Sequence, residues 1–494
     1  MSEGAPLRIL AYKPRPARQT IAMERVVCCE PLELEYLAAY LAEHELTLLD
    51  GMTDRRDVVE VAVRVQAQLV LFSSFITNIE DVLAWAGRLK RLPDPPQVFV
   101  GGVHAEVVPE PFCSPDVDGV FFANQLEGIA AVARRIQRGE PFDDVAGAVF
   151  RVIESDGGAP TWKKNPGPPL DPAALRRPRR LLFEKNPDRY FYLHHQRCAS
   201  IKTAFGCNEK CNFCFCTEMH GGRLGLRPID DVVDEIAAIQ ARNILVVDDN
   251  FLFSAARLRD FCQLVRARRL EKSLIVYGTA SFVAQNPDLM AELRDAGLRG
   301  LIVGLETIDD TELAGMNKRA RVADNEATID ICNKLDLELF ALFMVNPDWT
   351  PGQFRALARY LRQRRLAFAT FSTWTTFPGT ALSSNRASPV GDFQGSSGAP
   401  AAVGPGGPDG IHPASRAREP QWWRYDLLRL HQRPRHLSPL RYYLWLLYLY
   451  LLPSLLPSTG AELRRRMGFF RMLRFAGHAV AIGVGFLYKL LRWR

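Results

Sequence analysis

The chain is predicted to be an α/β protein with two successive units, a doubly wound sheet and then a partial (βα)6 barrel of the TIM type, ending in a helical basic tail. Three observations predict this. Short apolar runs alternate with helical patterns in two separate series, a Pro-rich stretch parts the series, and positive charge gathers at one end. Of 494 residues, 47% are hydrophobic and 24% charged, with 28 Phe, 13 Tyr and 8 Trp, so the chain can bury large cores and is not disordered. Ten cysteines in a chain this long are not a secreted disulfide framework, and the N-terminal "MSEGAPLRILAYKPRP" has no apolar run of signal-peptide length. A cytoplasmic location is expected. From Arg416 to Arg494 there are 15 Lys/Arg against 3 Asp/Glu, which leaves the rest of the chain slightly acidic, and no nucleic-acid partner is expected.

In residues 1–150, "LRILAY", "ELTLLD", "QLVLFSS", "QVFVGG" and "DGVFF" read as strands joined by helical crossovers, a flavodoxin-like series. Ligands of such sheets lie beyond the carboxyl ends of the strands, where Ser73, Ser74, Gly101 and Gly102 fall. Residues 151–195, with "KKNPGPPLDPAALRRPRR", read as an extended linker. In residues 196–382, "SIKTAFG", "NILVVDDN", "LIVYGTAS", "GLIVGLE", "ELFALFMV" and "FATFSTWTTF" are the strands of six βα units. Residues 383–420, rich in Gly, Pro, Ser and Ala, read as a flexible insert, and 421–494 as a helical, basic region.

Four cysteines crowd the loop after the first barrel strand, in "AFGCNEKCNFCFC". Cys207, Cys211 and Cys214, spaced C-x3-C-x2-C, can reach three corners of one centre. Three thiolates on a [4Fe–4S] cluster leave its fourth iron open for chemistry. Zinc held by four thiolates, with Cys216 as the fourth, is the structural alternative, although the spacing lacks the two separated pairs of zinc knuckles.

"CNEKCNFC", with Phe213 before the last cysteine, resembles the signature of the radical S-adenosylmethionine (SAM) enzymes. The doubly wound unit before it resembles the cobalamin-binding domain of that family's cobalamin-dependent, methyltransferase-like branch. The resemblance spans roughly residues 5–380. It implies a [4Fe–4S] cluster on Cys207, Cys211 and Cys214, with SAM on the open iron and Cys216 outside the ligand set. It further implies SAM contacts from Asp248 and Asp249 in "VVDDN", Gly304 and Glu306 in "GLIVGLE", and Thr279 and Ser281 in "YGTAS". Ser73, Ser74 and Thr77 would hold the nucleotide tail of cobalamin, with Gly101 and Gly102 letting backbone approach the corrin. His104 is not assigned to cobalt, because the D-x-H-x-x-G motif of His-ligated cobalamin proteins is absent.

The expected function is reductive cleavage of SAM at the cluster with cobalamin-dependent methylation of an unactivated carbon, in a lipid or other secondary metabolite. An electron donor such as flavodoxin or ferredoxin is implied, and no catalytic residue is assigned. "VVDDN" and "NPDW" give a partial resemblance to the hopanoid C-3 methylases. The alternative is a radical cyclase or rearrangement enzyme of a tetrapyrrole or natural-product pathway. A non-enzymatic iron–sulfur or zinc module accounts for the cysteines but not for the barrel behind them. The apolar run "YYLWLLYLYLL" stops at Pro453, short of a bilayer span, so the tail is expected either to lie peripherally on the inner membrane face or to pack as a lid on the barrel.

Overall fold

The computed structural model describes residues 5–22, 24–122, 125–152, 161–384, 421–455 and 457–492. The insert expected at 383–420 lies, but for its first two residues, outside them. The first sheet contains β1 (Arg8–Lys13), β2 (Glu45–Asp50), β3 (Leu69–Ser73), β4 (Gln97–Gly101) and β5 (Gly119–Phe121). These five are parallel in the order β2-β1-β3-β4-β5, the flavodoxin-like arrangement expected. β3, "LVLFS", is buried along its whole length because helices cover both faces. Among those helices are α1 (Leu32–Tyr40), α2 (Val58–Val65), α3 (Ile79–Lys90) and α4 (Leu126–Arg138). Asp57 fixes where α2 starts, accepting from the N–H groups of Val59 (2.9 Å) and Glu60 (3.3 Å).

Two antiparallel strands, β6 (Ala148–Val152) and β7 (Thr161–Asn165), extend this sheet beyond β5. The boundary expected at residue 150 thus falls inside β6, and the segment expected as a linker begins with a strand. β7, "TWKKN", is an edge strand with mostly exposed side chains. Ladder hydrogen bonds hold it in place, and it carries no apolar alternation to betray it.

The second sheet is β8 (Cys198–Ile201), β9 (Asn243–Val246), β10 (Ser273–Gly278), β11 (Leu298–Glu306), β12 (Glu338–Val345) and β13 (Phe368–Thr373). All six are parallel and neighbour one another in chain order. Outside them run α5 (Ile229–Ala238), α6 (Ala255–Ala267), α7 (Pro287–Asp295), α8 (Val322–Lys334) and α9 (Pro351–Gln363). The tail forms α10 (Pro439–Leu455), α11 (Pro457–Met467) and α12 (Phe469–Arg492). α10 packs on the β13 edge. Its Tyr442 hydroxyl lies 3.2 Å from the Val345 carbonyl and 3.1 Å from Thr373 Oγ1, and its Tyr450 hydroxyl accepts from the N–H of Phe371 (3.2 Å). Tyr450 therefore satisfies a backbone N–H that the open edge of the six-stranded sheet leaves without a strand partner.

The two units meet through a buried ionic chain. Arg180 donates to Glu30 (2.7 Å) and to Glu235 (2.6 Å), Arg227 pairs with Glu235 (2.7 Å), and Ser200 N–H donates to Glu30 (2.6 Å). Nearby, buried Glu35 of α1 accepts from the N–H groups of Leu182 (2.9 Å) and Phe183 (3.1 Å). Burial, and after it the Glu30 charge, pushes the Glu35 carboxyl up to about 8 from an ordinary 4.5. Between those values the folded chain keeps a proton that the unfolded chain has released, so stability falls as pH rises through the window. Glu35→Gln is expected to flatten that slope when urea unfolding is followed at several pH values across it.

Candidate active site

The cysteine loop leaves the carboxyl end of β8 through Gly206, whose φ is +85° and where an added Cβ would stand 2.1 Å from the Arg223 carbonyl oxygen. Only glycine fits that turn. Asp249, just beyond β9, accepts from Gly206 N–H (3.0 Å) and faces Lys202 (3.5 Å), fixing the start of the loop. Asparagines clamp the rest. Asn212 Nδ2 donates to the Gly315 carbonyl (2.9 Å), Asn317 Nδ2 to the Lys210 carbonyl (2.5 Å), and Asn250 Nδ2 to Asn208 Oδ1 (3.1 Å). The backbone of the motif is thereby tied to the segment that follows β11.

All ten cysteines are free thiols. Burial pushes Cys207 up to about 11 and Cys211 up to about 12, with Lys318 pulling Cys211 back. A hydrogen bond from Cys216 lowers Cys214, and Cys216 is also bonded to Asp249. Three thiols on one short loop, beside a lysine that favours the thiolate, form a donor set that fits an iron–sulfur cluster.

The other residues expected at this site separate into groups. Gly304 and Glu306 lie together at the end of β11, where the register slips and Glu306 takes a φ of +61°. That bulge aims the Glu306 carboxylate at Lys318 Nζ, 2.5 Å away. A Cβ on Gly304 would stand 2.0 Å from Glu306 Oε1 and 2.7 Å from Lys318 Nζ, so a side chain at 304 would have to displace the ends of both partners. Asp249 faces the cysteines. Asp248 is buried with both oxygens taken by Thr203, from its N–H (2.6 Å) and its hydroxyl (2.5 Å), and burial raises it to about 6. Thr279 caps the helix Ala280–Gln285 by accepting from Phe282 N–H (3.4 Å), and Ser281 Oγ donates to it (3.4 Å). The Phe213 ring centroid lies 6.0 Å from that of Trp374. Lys318 is the residue that sequence reasoning missed; "GMNKRA" lies a hundred residues downstream, and only the fold brings it to the cysteines.

Between the two units lies a cavity of about 290 Å³. One wall is the carboxyl edge of the first sheet, with Phe72, Ser73, Gly101 and Gly102; the facing wall carries Lys202, Phe205, Met219 and His220 from the cysteine-loop side of the barrel. Gly102 has a φ of +102°, and its missing Cβ lets the loop lie against Ser73 and Ser74. Ser73 Oγ donates to Glu33 (3.2 Å), whose carboxylate also pairs with Lys13 (3.0 Å). Ser74 Oγ donates to Asn78 Oδ1 (2.9 Å), so Ser74 serves its own turn, and Thr77 sits half-buried in the same turn. His104 is buried, pushed down to about 4 by that burial, and does not line the cavity; its ring faces Trp422 and Phe215, at 5.7 and 6.0 Å between centroids. A mostly apolar slot with glycines on one lip and polar groups at its end fits a flat macrocycle with a polar tail.

Residues 18–133 match the B12 binding domain family, and residues 201–361 match the Radical SAM superfamily. The chain carries a B12-binding domain and a radical SAM domain. It is 28% identical over 184 residues to bacteriochlorophyllide d C-12(1)-methyltransferase of Chlorobaculum tepidum, over 35% of this chain and 40% of that protein, so it spans well under two thirds of that relative. It is 22% identical over 374 residues to the anaerobic magnesium-protoporphyrin IX monomethyl ester cyclase of Synechocystis sp., over 69% of this chain and 70% of that one. The fold of the B12-binding and radical SAM domains together is shared with the radical SAM methyltransferase TsrM from Kitasatospora setae, solved with cobalamin and a [4Fe-4S] cluster bound. The TM-score is 0.61 at 20% identity, over 76% of this chain and 77% of that one.

Proposed function

We propose that this chain is a cobalamin-dependent radical SAM methyltransferase acting on a lipid or other small secondary metabolite. The observation that carries this reading is the shared cavity, whose two walls are the strand ends of the B12-binding domain and the segment flanking the cysteine loop of the radical SAM domain. Cys207, Cys211 and Cys214 would hold a [4Fe–4S] cluster. Asp249, Gly304, Glu306 and Lys318 would meet SAM, and Ser73, Gly101 and Gly102 with Thr77 would meet cobalamin. When bound, the cluster and SAM supply one-electron chemistry and cobalamin supplies a methyl group.

The chain's own contribution is placement. Asp249 and the asparagine clamps fix the cysteine backbone, the Glu306–Lys318 pair sets the charge beside the thiols, and the aromatic and aliphatic wall of the cavity would exclude water from a bound ligand. An external one-electron donor of the flavodoxin or ferredoxin type completes the requirement. The alignment to the anaerobic cyclase, which covers 70% of that relative, favours ring formation as a second reading.

One experiment separates the two. Protein reconstituted anaerobically with iron, sulfide and cobalamin is given SAM, a reductant and lipid extracts, and products are followed by mass spectrometry. Gain of one methylene unit in a product, with SAM consumed, is the expected result. Loss of hydrogen without gain of carbon points to the cyclase, and absence of any SAM cleavage overturns both.

A further inference from the structure

We propose that the outer face of the C-terminal helices docks on an anionic lipid bilayer, with headgroup phosphates held in an arginine-rimmed groove between α9 and α10. The groove encloses about 470 Å³. α9 contributes Arg355 and Arg362, seven residues apart and so on one helix face, and α10 contributes Arg441 from the opposite side. Trp445 and Tyr448 line it as well, and the Tyr448 hydroxyl accepts from Arg362 (3.2 Å). No carboxylate lines the groove, and none of the three arginines forms an ion pair among the described residues. Arginines that serve the fold behave differently. In α11, Arg465 pairs with Asp336 (2.6 Å) and Arg466 with Glu338 (3.0 Å). Three unneutralised guanidinium groups around a concave surface form a phosphate site.

Exposed apolar side chains gather on the same C-terminal helices. Of the 15 large hydrophobic side chains that are exposed among the described residues, nine lie between Leu440 and Tyr488. On α10, Leu440, Leu444 and Leu451 fall within an arc of roughly 40°. On α12, Phe469, Phe470, Leu473, Val484, Leu487 and Tyr488 fall within an arc of roughly 100°, and Phe470 is 84% exposed. The inner face of α12 is already used, since Phe486 is buried against Tyr443 and Lys489 Nζ donates to the Thr20 carbonyl. The outward apolar arc is therefore surplus to the fold.

Charge selects the occupant. Residues 439–494 hold nine Lys/Arg and a single acid, Glu462, so a second copy of the chain would bring like charge against like. An anionic bilayer offers phosphates to the arginines and acyl chains to the leucines and phenylalanines at once. No helix among the described residues is long and apolar enough to cross a membrane, so the contact lies in the plane of the surface.

The test uses the whole chain with vesicles of phosphatidylglycerol or phosphatidylcholine. Co-sedimentation with the anionic vesicles alone, weakening as salt rises, is expected. Each arginine removed costs roughly a factor of five near such a surface, so the R355A/R362A/R441A variant is expected to bind roughly 100-fold more weakly. The F470S/L473S variant is expected to bind more weakly, with the affinity that remains keeping its salt dependence. All the changed side chains are exposed, and circular dichroism verifies that both variants fold. Equal binding of the arginine variant and the unaltered chain overturns the proposal, as does equal uptake by neutral vesicles. Retention on immobilised phosphate without vesicle binding, or self-association abolished by F470S/L473S, overturns it as well.

Discussion

Changing Cys207, Cys211 and Cys214 together to alanine is expected to abolish iron loading, from about four irons per chain after anaerobic reconstitution to none. The three thiols share one loop, whereas Cys28, Cys198, Cys262 and Cys332 are dispersed along the chain and buried within the hydrophobic cores. Cys216→Ala discriminates further. Cys216 lies beside Cys214 and Asp249 and interacts with both. If Cys216 is outside the ligand set, the single variant keeps its iron and its charge-transfer absorption. Iron that survives in the triple variant would sink the assignment, and iron lost from Cys216→Ala would favour a closed four-thiolate site.

Gly102→Ala is expected to cost nearly all corrin binding, on the order of 100-fold in affinity or about 3 kcal/mol. Two effects add. At φ +102° an L side chain is strained, and the new Cβ would lie 2.6 Å from both the backbone nitrogen and the carbonyl oxygen of Ser74, neither of which can swing aside. The loop must retreat, and the slot beside Ser73 narrows. Gly101→Ala, on the same lip, is expected to cost less, because a Cβ there meets only Phe121, at 3.8 Å, and no backbone strain is added. Corrin absorbance after gel filtration, beside a thermal melt, reads both variants. Gly102→Ala protein that keeps its corrin would remove the first sheet's edge from the cofactor site.

The barrel was readable in the sequence because strands buried on both faces are continuous apolar runs, as in "ELFALFMV", and their parallel order follows from the helices between them. The cysteine loop was readable for a different reason: its chemistry needs ligands close in sequence. What failed to show was anything assembled across distance. Asp248 and Asp249 are neighbours with one composition, yet Thr203 claims the first and the cysteine loop the second. Lys318 and the asparagine clamps carry no periodic signal. Thr279 matched an expected binding strand, while its hydroxyl caps the next helix. On α10 apolar residues face both the barrel and the outside, so the pattern "LRYYLWLLYLYLL" could not say which side packs; Tyr442 and Leu446 turn inward, and Leu440 and Leu444 outward.

The N-terminal segment and the tail clasp one another. Ile21 N–H donates to Asp426 (3.0 Å), Arg429 to the Gln19 carbonyl (2.9 Å) and Lys489 to the Thr20 carbonyl, across 405, 410 and 469 residues of chain. Loop closure of that length is entropically unfavourable until both units have formed, so these bonds complete folding rather than begin it. During synthesis the segment around Thr20 leaves the ribosome hundreds of residues before its partners exist. The first unit must therefore stand uncovered on that side, exposed to chaperones and proteases, until the last helix emerges and fastens it.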